Sequence, residues 1–425
     1  MSKDLYPMLS VEEAMDSVLE YFHALEPELV PILDALGRAL AEDVYSEIDI
    51  PPHANSAMDG YAVLAADTKG AGPKSPKRLK VIADLAAGYV TETTVTPGKA
   101  IRIMTGAPVP PGADAVVRFE DTEKGEEWVD ILAEVPGGKN IRLAGEDVRK
   151  GSMVLRRGGH IRPQEVGMLA ALGRREVLVT RRPRVAILAT GDEVVDIDAP
   201  LAPGKIRNSN SYSNAAQVVR CGGTPVLLGI ARDQVEDLTQ KIRAGLEEAV
   251  DLFLTSGGVS VGDFDVVKEV LAAEGDMSFW RVRMKPGKPF AFGQISGVPL
   301  LGLPGNPVSA MVSFELFARA AIFKMLGLRD WMRPTVQATL MNGVKRKDER
   351  RHYWRVRVRS EGGEYRAYLT GEQGSGILSS MVQANGLAII PEEWSHAPAG
   401  SRVRVMMLDW DALSCAPAEP GRTSP

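Results

Sequence analysis

Between residues 184 and 327, short apolar runs alternate with amphipathic stretches, and this alternation restricts the fold more than any other feature of the chain. RVAILAT (184–190), TPVLLGI (224–230), VDLFLT (250–255) and PLLGL (299–303) have the length and composition of buried strands. The stretches 211–223, 234–249, 263–275 and 307–327 carry apolar residues at helical spacing. Two glycines, 222 and 223, stop the first of these, while Asn306 as N-cap and Pro307 at the first helical position open the last. Alternation of this kind predicts a mostly parallel, doubly wound sheet.

Ligands of open α/β sheets collect beyond the carboxyl ends of the strands. The expected rim therefore holds TGDE (190–193), Asp233, Ser256–Gly257–Gly258 and LPGNP (303–307). The loop SGGVSVGD (256–263) lacks the Gly-Lys-Ser/Thr ending of a Walker A loop and is not a Gly-x-Gly-x-x-Gly fingerprint, yet free backbone N–H groups there could hold phosphate or another tetrahedral oxyanion. Asp263 suits a helix start. Asp265, with Glu193 and Asp233, could hold Mg²⁺, a hard cation that takes carboxylate and phosphate oxygens. In KPGKP (285–289) two prolines stiffen a loop bearing Lys285 and Lys288, so both ammonium groups could face one anion. Pro304 and Pro307 bracket a tight turn onto a helix N-terminus, another natural anion site.

The flanks read differently. Ser10 and Glu13 form a capping box for a helix running to about Phe22, and a second short helix is expected over 31–42. Residues 55–150 are rich in strands and Pro/Gly turns; a helix follows at 163–173, and 333–411 return to short strands, as in a small barrel or sandwich. The segment after Leu413 is small, polar and Pro-rich, and is expected to be disordered.

Composition excludes several functions. A net charge of −5 gives no electrostatic case for nucleic acid or an anionic membrane. No apolar run approaches the roughly 20 residues that span a bilayer, and no secretory signal opens the chain, so a cytoplasmic protein is expected. The five histidines lack zinc-site spacing, and the two cysteines, 221 and 415, are too few for a disulfide framework.

Seven motifs then occur in order: NSAMDGYA (55–62), RIMTGA (102–107), GED (145–147), TGDE (190–193), SGGVS (256–260), KPGKP (285–289) and LPGNP (303–307). Together they resemble the molybdopterin molybdenumtransferase family, which is similar to the C-terminal part of gephyrin. The resemblance runs from about residue 8 to 411. It implies a multidomain α/β chain: a discontinuous helical domain (1–50 and 146–182), a β-rich inserted domain (51–145), a central doubly wound α/β molybdopterin-binding domain (183–329), a small C-terminal β-barrel (330–412) and a tail (413–425). The implied activity is Mg²⁺-dependent insertion of molybdate into adenylylated molybdopterin with release of AMP, giving molybdenum cofactor. The implied partners are a second copy of the chain in a homodimer, molybdopterin adenylyltransferase and molybdoenzyme chaperones.

Carried over by position, Glu193, Asp233 and Asp265 would lie near metal and phosphates. Ser256, Gly257, Gly258, Lys285, Lys288, Pro304 and Pro307 would handle the anionic substrate or shape its rim, and Arg355 and Ser375 would bind anion from the last domain. Asp59, Thr105 and Asp147 would approach a partner subunit's site. One position departs from the pattern: Val266 stands where the family commonly has an aromatic residue, in DVVK (265–268). Two other readings are a molybdopterin adenylyltransferase, which typically has the α/β domain alone, and a non-enzymatic scaffold that binds a peptide.

Overall fold

The computed structural model describes residues 8–232, 234–257, 275–346 and 348–410. Asp233, Gly258, Asp265, the helix expected over 263–275 and the tail lie outside these. The chain divides into two compact units: one contains residues up to 41, 158–162 and 177 onward; the other contains 42–157 and 163–176.

The larger unit opens with β1 (Met8–Leu9) and α1 (Val11–Leu19). The capping box is formed: Ser10 Oγ accepts the Glu13 N–H at 3.1 Å, and the Glu13 carboxylate accepts the Ser10 N–H at 2.7 Å. Val11, Ala14, Met15, Val18 and Leu19 make the buried stripe. The helix expected over 31–42 does not form. A strand, Pro27–Pro31, is followed by turns. Competing long-range contacts explain it: the buried Arg38 guanidinium donates to Thr180 O (2.9 Å) and pairs with Glu28, and the Ala41 N–H donates to Leu178 O. Local spacing could not reveal partners so distant in sequence.

The central sheet takes β2 (Arg184–Thr190), β3 (Thr224–Ala231), β4 (Leu252–Ser256), β5 (Gly275–Val282), β6 (Pro289–Ile295) and β7 (Val298–Leu303). Its order is β1-β5-β6-β7-β4-β2-β3. The pairings β7–β4–β2–β3 are parallel, but β5–β6 and β6–β7 are antiparallel. With β1–β5 also parallel, the sheet is mostly parallel, as the alternation predicted; the two antiparallel pairings around β6 are the unexpected part. The cause is local. Ile295 pairs with Val298 across a two-residue turn in which Ser296 has φ 49° and Gly297 φ 84°, and so short a link can only join antiparallel strands.

Helices α2 (Ser209–Arg220) and α3 (Val235–Glu247) follow β2 and β3, and α4 (Pro307–Ser313) follows β7. The expected single helix over 307–327 is interrupted. A π-turn at Phe314–Ala318 separates α4 from α5 (Arg319–Met325). In that turn Glu315 is buried and pairs with Arg333 at 2.8 Å. One sheet face packs Val185, Ile187, Leu252 and Leu254 against α1, α4 and α5; the other packs Ala186, Leu188 and Phe253 against Leu238 and Ile242 of α3.

The last strands are β8 (Thr335–Leu340), β9 (Arg351–Glu361), β10 (Glu364–Leu369), β11 (Gly386–Ile390) and β12 (Arg402–Met407). They pair in the order β9-β10-β8-β12-β11, and β11 returns to β9, closing a five-stranded barrel. Leu340, Val356, Val358, Ala388 and Val405 fill it. Met284 and Lys285 pair in parallel with Arg351 and His352, stitching the α/β sheet's loop to β9.

The smaller unit is built on a six-stranded sheet in the order Ala115–Arg118, Gly60–Val63, Lys99–Ile103, Lys77–Leu85, Trp128–Ile131, Thr122–Lys124. Apolar residues cover both its faces, Tyr61 and Val117 on one, Ala62 and Ile101 on the other. Among the described residues, no helix is long and apolar enough to cross a membrane.

Candidate active site

The carboxyl ends of β2, β4 and β7 and the start of α2 enclose a cavity of about 540 Å³. Thr190 and Glu193 come from the first loop, Ser256 and Gly257 from the second, Gly305, Asn306 and Pro307 from the third, and Arg207, Asn208, Ser209 and Asn210 from the α2 entry. Gly376 reaches in from the barrel. Pro304 is buried beside this lining.

Two glycines make the rim possible. Gly257 has φ +93°, and a Cβ there would lie 2.5 Å from Thr190 O. Gly191 has φ +131°, and the Glu193 carboxylate folds back over it, 2.5 Å from where a Cβ would stand. Only a residue without Cβ allows either approach. Asn306 stands at the N-cap of α4, as expected, but its side chain makes no capping hydrogen bond; Asn210 Nδ2 donates instead to Gly305 O at 2.7 Å.

Hydrogen bonding inside the cavity is incomplete. Thr190 Oγ1, Asn210 Oδ1 and Ser256 Oγ are buried without a hydrogen-bond partner among the described residues. Buried polar groups are ordinarily paired, and orphaned ones concentrated at one cavity mark where a polar ligand or water belongs. Glu193 is the one carboxylate and Arg207 the one cationic side chain in the described lining. Among the described residues, no group of three or more His, Cys, Asp or Glu surrounds a common point.

Lys285 is not in this lining. It borders a second pocket of about 210 Å³, with Pro286, Lys345, His352, Tyr353, Trp354, Arg355 and Gln373. Arg355 is 1% exposed. Its Nε donates to Ser380 Oγ (3.0 Å), and its Nη2 to Gly374 O (3.0 Å) and Glu372 O (3.3 Å). No carboxylate pairs with it among the described residues, and burial pulls its pKa down to about 10. Lys285 lies 3.7 Å from Asp348, which the Arg350 guanidinium holds well below the usual carboxylate range. Asp348 also faces His352 Nε2 at 3.0 Å, while burial lowers the His352 pKa. Ser375 is half-buried, and its carbonyl accepts the Val308 N–H at 3.0 Å, tying the barrel to α4. Lys288 is half-buried and lines neither pocket.

In the smaller unit Asp59 and Thr105 are brought together. Asp59 Oδ1 accepts the Thr105 N–H at 2.7 Å and the Thr105 hydroxyl at 2.8 Å. The first of these bonds is the main cause that lowers the exposed Asp59 pKa. Asp147 is exposed on the 145–148 turn, with its N–H donating to Ile50 O.

Sequence reasoning missed Arg207, Asn208, Asn210 and Gly376. The signal for the two asparagines was present: Asn-Ser-Asn opening a helix on the same rim, directly after Arg207. Gly376 had none, since only tertiary packing brings the barrel loop there.

Family profiles match nearly the whole chain: the MoeA N-terminal region (domain I and II) over residues 9–173, a probable molybdopterin binding domain over 186–324, and the MoeA C-terminal region (domain IV) over 337–408. The chain is 40% identical to molybdopterin molybdenumtransferase 2 of Mycobacterium tuberculosis, covering 95% of this chain and 100% of that one. It is 35% identical to molybdopterin molybdenumtransferase of Bacillus subtilis, covering 94% of each. The crystal structure of the molybdopterin biosynthesis moeA protein from Pyrococcus horikoshii OT3 matches with a TM-score of 0.82 at 33% identity, over 94% of this chain and 100% of that one.

Proposed function

The chain belongs to the MoeA family of molybdopterin molybdenumtransferases, and from that premise we propose that it inserts molybdate into adenylylated molybdopterin, releasing AMP in a Mg²⁺-dependent reaction. The observation that carries this reading is the cavity itself: three motif loops, the α2 entry and a barrel glycine share one space whose buried hydroxyls and amide oxygen are unpaired.

The chemistry asks for such a site. A molybdate dianion must approach an anionic phosphate and sulfurs, an assembly that repels itself unless cations and hydrogen-bond donors surround it. In this reading the Thr190 and Ser256 hydroxyls donate to substrate phosphate oxygens. Arg355, buried and without a carboxylate partner among the described residues, holds the incoming oxyanion at the second pocket together with Lys285.

The chemistry of the donor set suits Mg²⁺, because the cavity offers hard oxygens from the Glu193 carboxylate and the unpaired Asn210 Oδ1. Glu193 would hold it together with Asp233 and Asp265. When bound, Mg²⁺ neutralises phosphate charge and polarises the bond to the leaving AMP. A homodimer in the cytoplasm, in which Asp59, Thr105 and Asp147 act at the partner subunit's site, completes the proposal. Molybdopterin adenylyltransferase and molybdoenzyme chaperones would be its neighbours in substrate supply and product delivery.

The test is incubation with adenylylated molybdopterin, Mg²⁺ and molybdate, following AMP and cofactor. Turnover should need all three. If AMP release persists at full rate in Asp265→Asn, that carboxylate has no part in it. Formation of adenylylated pterin from ATP and molybdopterin would indicate the adenylyltransferase instead; retention of a bound peptide by a chain with no turnover would indicate a scaffold.

A further inference from the structure

Arg207 stands at the entry to α2, where its strand segment, Ile206–Arg207, pairs in parallel with Val194–Val195. Its Nη1 donates to Ala199 O at 3.1 Å and to Ile197 O, with Asp196 O at 3.5 Å. One nitrogen thus gathers the carbonyls of the loop 196–199. Tyr212 reinforces that loop, its hydroxyl donating to Asp196 Oδ1 at 2.9 Å. The Nε and Nη2 of Arg207 have no hydrogen-bond partner among the described residues, and the side chain has no carboxylate partner there. The residue nonetheless lines the cavity.

We propose that Arg207 is a phosphate-binding residue of this cavity, with Nη1 fixed on the loop carbonyls and the Nε/Nη2 edge offered to the phosphate of the adenylyl group. The inference rests on the cavity taking an adenylylated substrate. A guanidinium edge matches two oxygens of a tetrahedral oxyanion, and a fixed plane loses little freedom on binding. A phosphate placed beside the Glu193 carboxylate needs a cation, and Arg207 is the one the described lining supplies. The α2 start, with Ser209 and Asn210 in the same lining, adds helix-terminal N–H groups on the same side. The lysines singled out from the sequence do not border this cavity, so neither substitutes for it. The same contact makes the loop responsive: a ligand that locks the guanidinium also locks the carbonyls gathered on Nη1.

The experiment compares AMP and adenosine binding by calorimetry in the full-length protein, Arg207→Gln and Arg207→Lys. AMP affinity should fall about 10- to 100-fold in Arg207→Gln, the range for a charge-assisted hydrogen bond, and recover partly in Arg207→Lys. Adenosine, which lacks the phosphate, should bind all three equally; a purely structural role would weaken both ligands together. AMP should also slow tryptic cleavage after Lys205 in the wild type and not in Arg207→Gln. Equal AMP affinity in wild type and Arg207→Gln overturns the proposal while leaving the cavity's assignment intact. No AMP binding by the wild type overturns both. A fall in molybdate affinity with AMP affinity unchanged assigns the arginine to molybdate and overturns its assignment to phosphate.

Discussion

In the cavity at the carboxyl ends of the strands, Thr190 Oγ1, Asn210 Oδ1 and Ser256 Oγ have no partner among the described residues; in the barrel pocket, Arg355 has three oxygens on two of its nitrogens. Among the described residues, Glu193 and Arg207 are the charged side chains lining the first site, and its polar atoms are left for a ligand to satisfy. The second is cationic, and its central charge is already held in place by Ser380, Gly374 and Glu372. The difference teaches how one protein can receive two anions. An unsatisfied site gains hydrogen bonds when a large polar substrate enters. A pre-satisfied, desolvated guanidinium gains Coulombic energy from a small anion without having to reorganise.

The comparison can be broken most forcefully at Gly257. Gly257→Ala must place a Cβ 2.5 Å from the Thr190 carbonyl in a left-handed backbone. The combined strain and overlap should cost about 4 kcal/mol of stability in urea denaturation and abolish AMP release. Unchanged stability would show that the rim is softer than its geometry. Next comes Arg355→Ala. It should cost about 3 kcal/mol, through an internal void and stranded carbonyls, and should raise the molybdate concentration needed for turnover while leaving AMP affinity unchanged. A parallel loss of AMP affinity would mean that the two pockets are one functional site.

Ser256→Ala tests the unsatisfied site directly. Removing a hydroxyl without a partner should leave the unfolding midpoint where it is, while AMP binding weakens about fivefold, or roughly 1 kcal/mol. A clear loss of stability would show that the hydroxyl has a structural partner after all. The smallest effect concerns pH. Burial holds His352 below its ordinary 6.5, so on acidification the unfolded chain takes the proton first. Stability should therefore decline as the pH drops below about 6.5, until the folded imidazole also protonates. The Asp348 pKa is lowered too, but the stability it contributes is lost only in much stronger acid, so it does not mask this window. His352→Gln should flatten the decline; an unchanged slope would assign it to another group.

The same contrast explains what could be read from sequence. The rim was legible because strand–helix alternation places every β-to-α loop on one edge, and Glu193, Ser256, Gly257 and Pro307 followed from that alone. The last domain's strands were legible as a barrel or a sandwich, and the family resemblance pointed to the barrel that β11 and β9 close; the residues alone could not choose, because ring closure is a property of pairing and not of any one segment. Lys285 and Lys288 were read together from their shared stiff loop, yet the pairing of Lys285 with β9 turns it to the second pocket. The antiparallel hairpin was missed although Ser296–Gly297 between two apolar runs is a hairpin signal. Asp59 and Thr105 entered through motif resemblance; nothing in their spacing shows that they share two hydrogen bonds.

Among the described residues, the largest hydrophobic cluster includes Phe314 and Phe317 of the π-turn together with Tyr353, Leu387, Met406 and Leu408 from the barrel's side. The final strands are therefore not a detachable module. A shorter relative ending near residue 330 could not inherit the α/β sheet unchanged. It would need new polar residues over that face, another arrangement for the buried Glu315 that now pairs with Arg333, and a different anchor for the Lys285 loop. Duplication and shuffling of this chain's parts should thus preserve the barrel together with the α/β sheet.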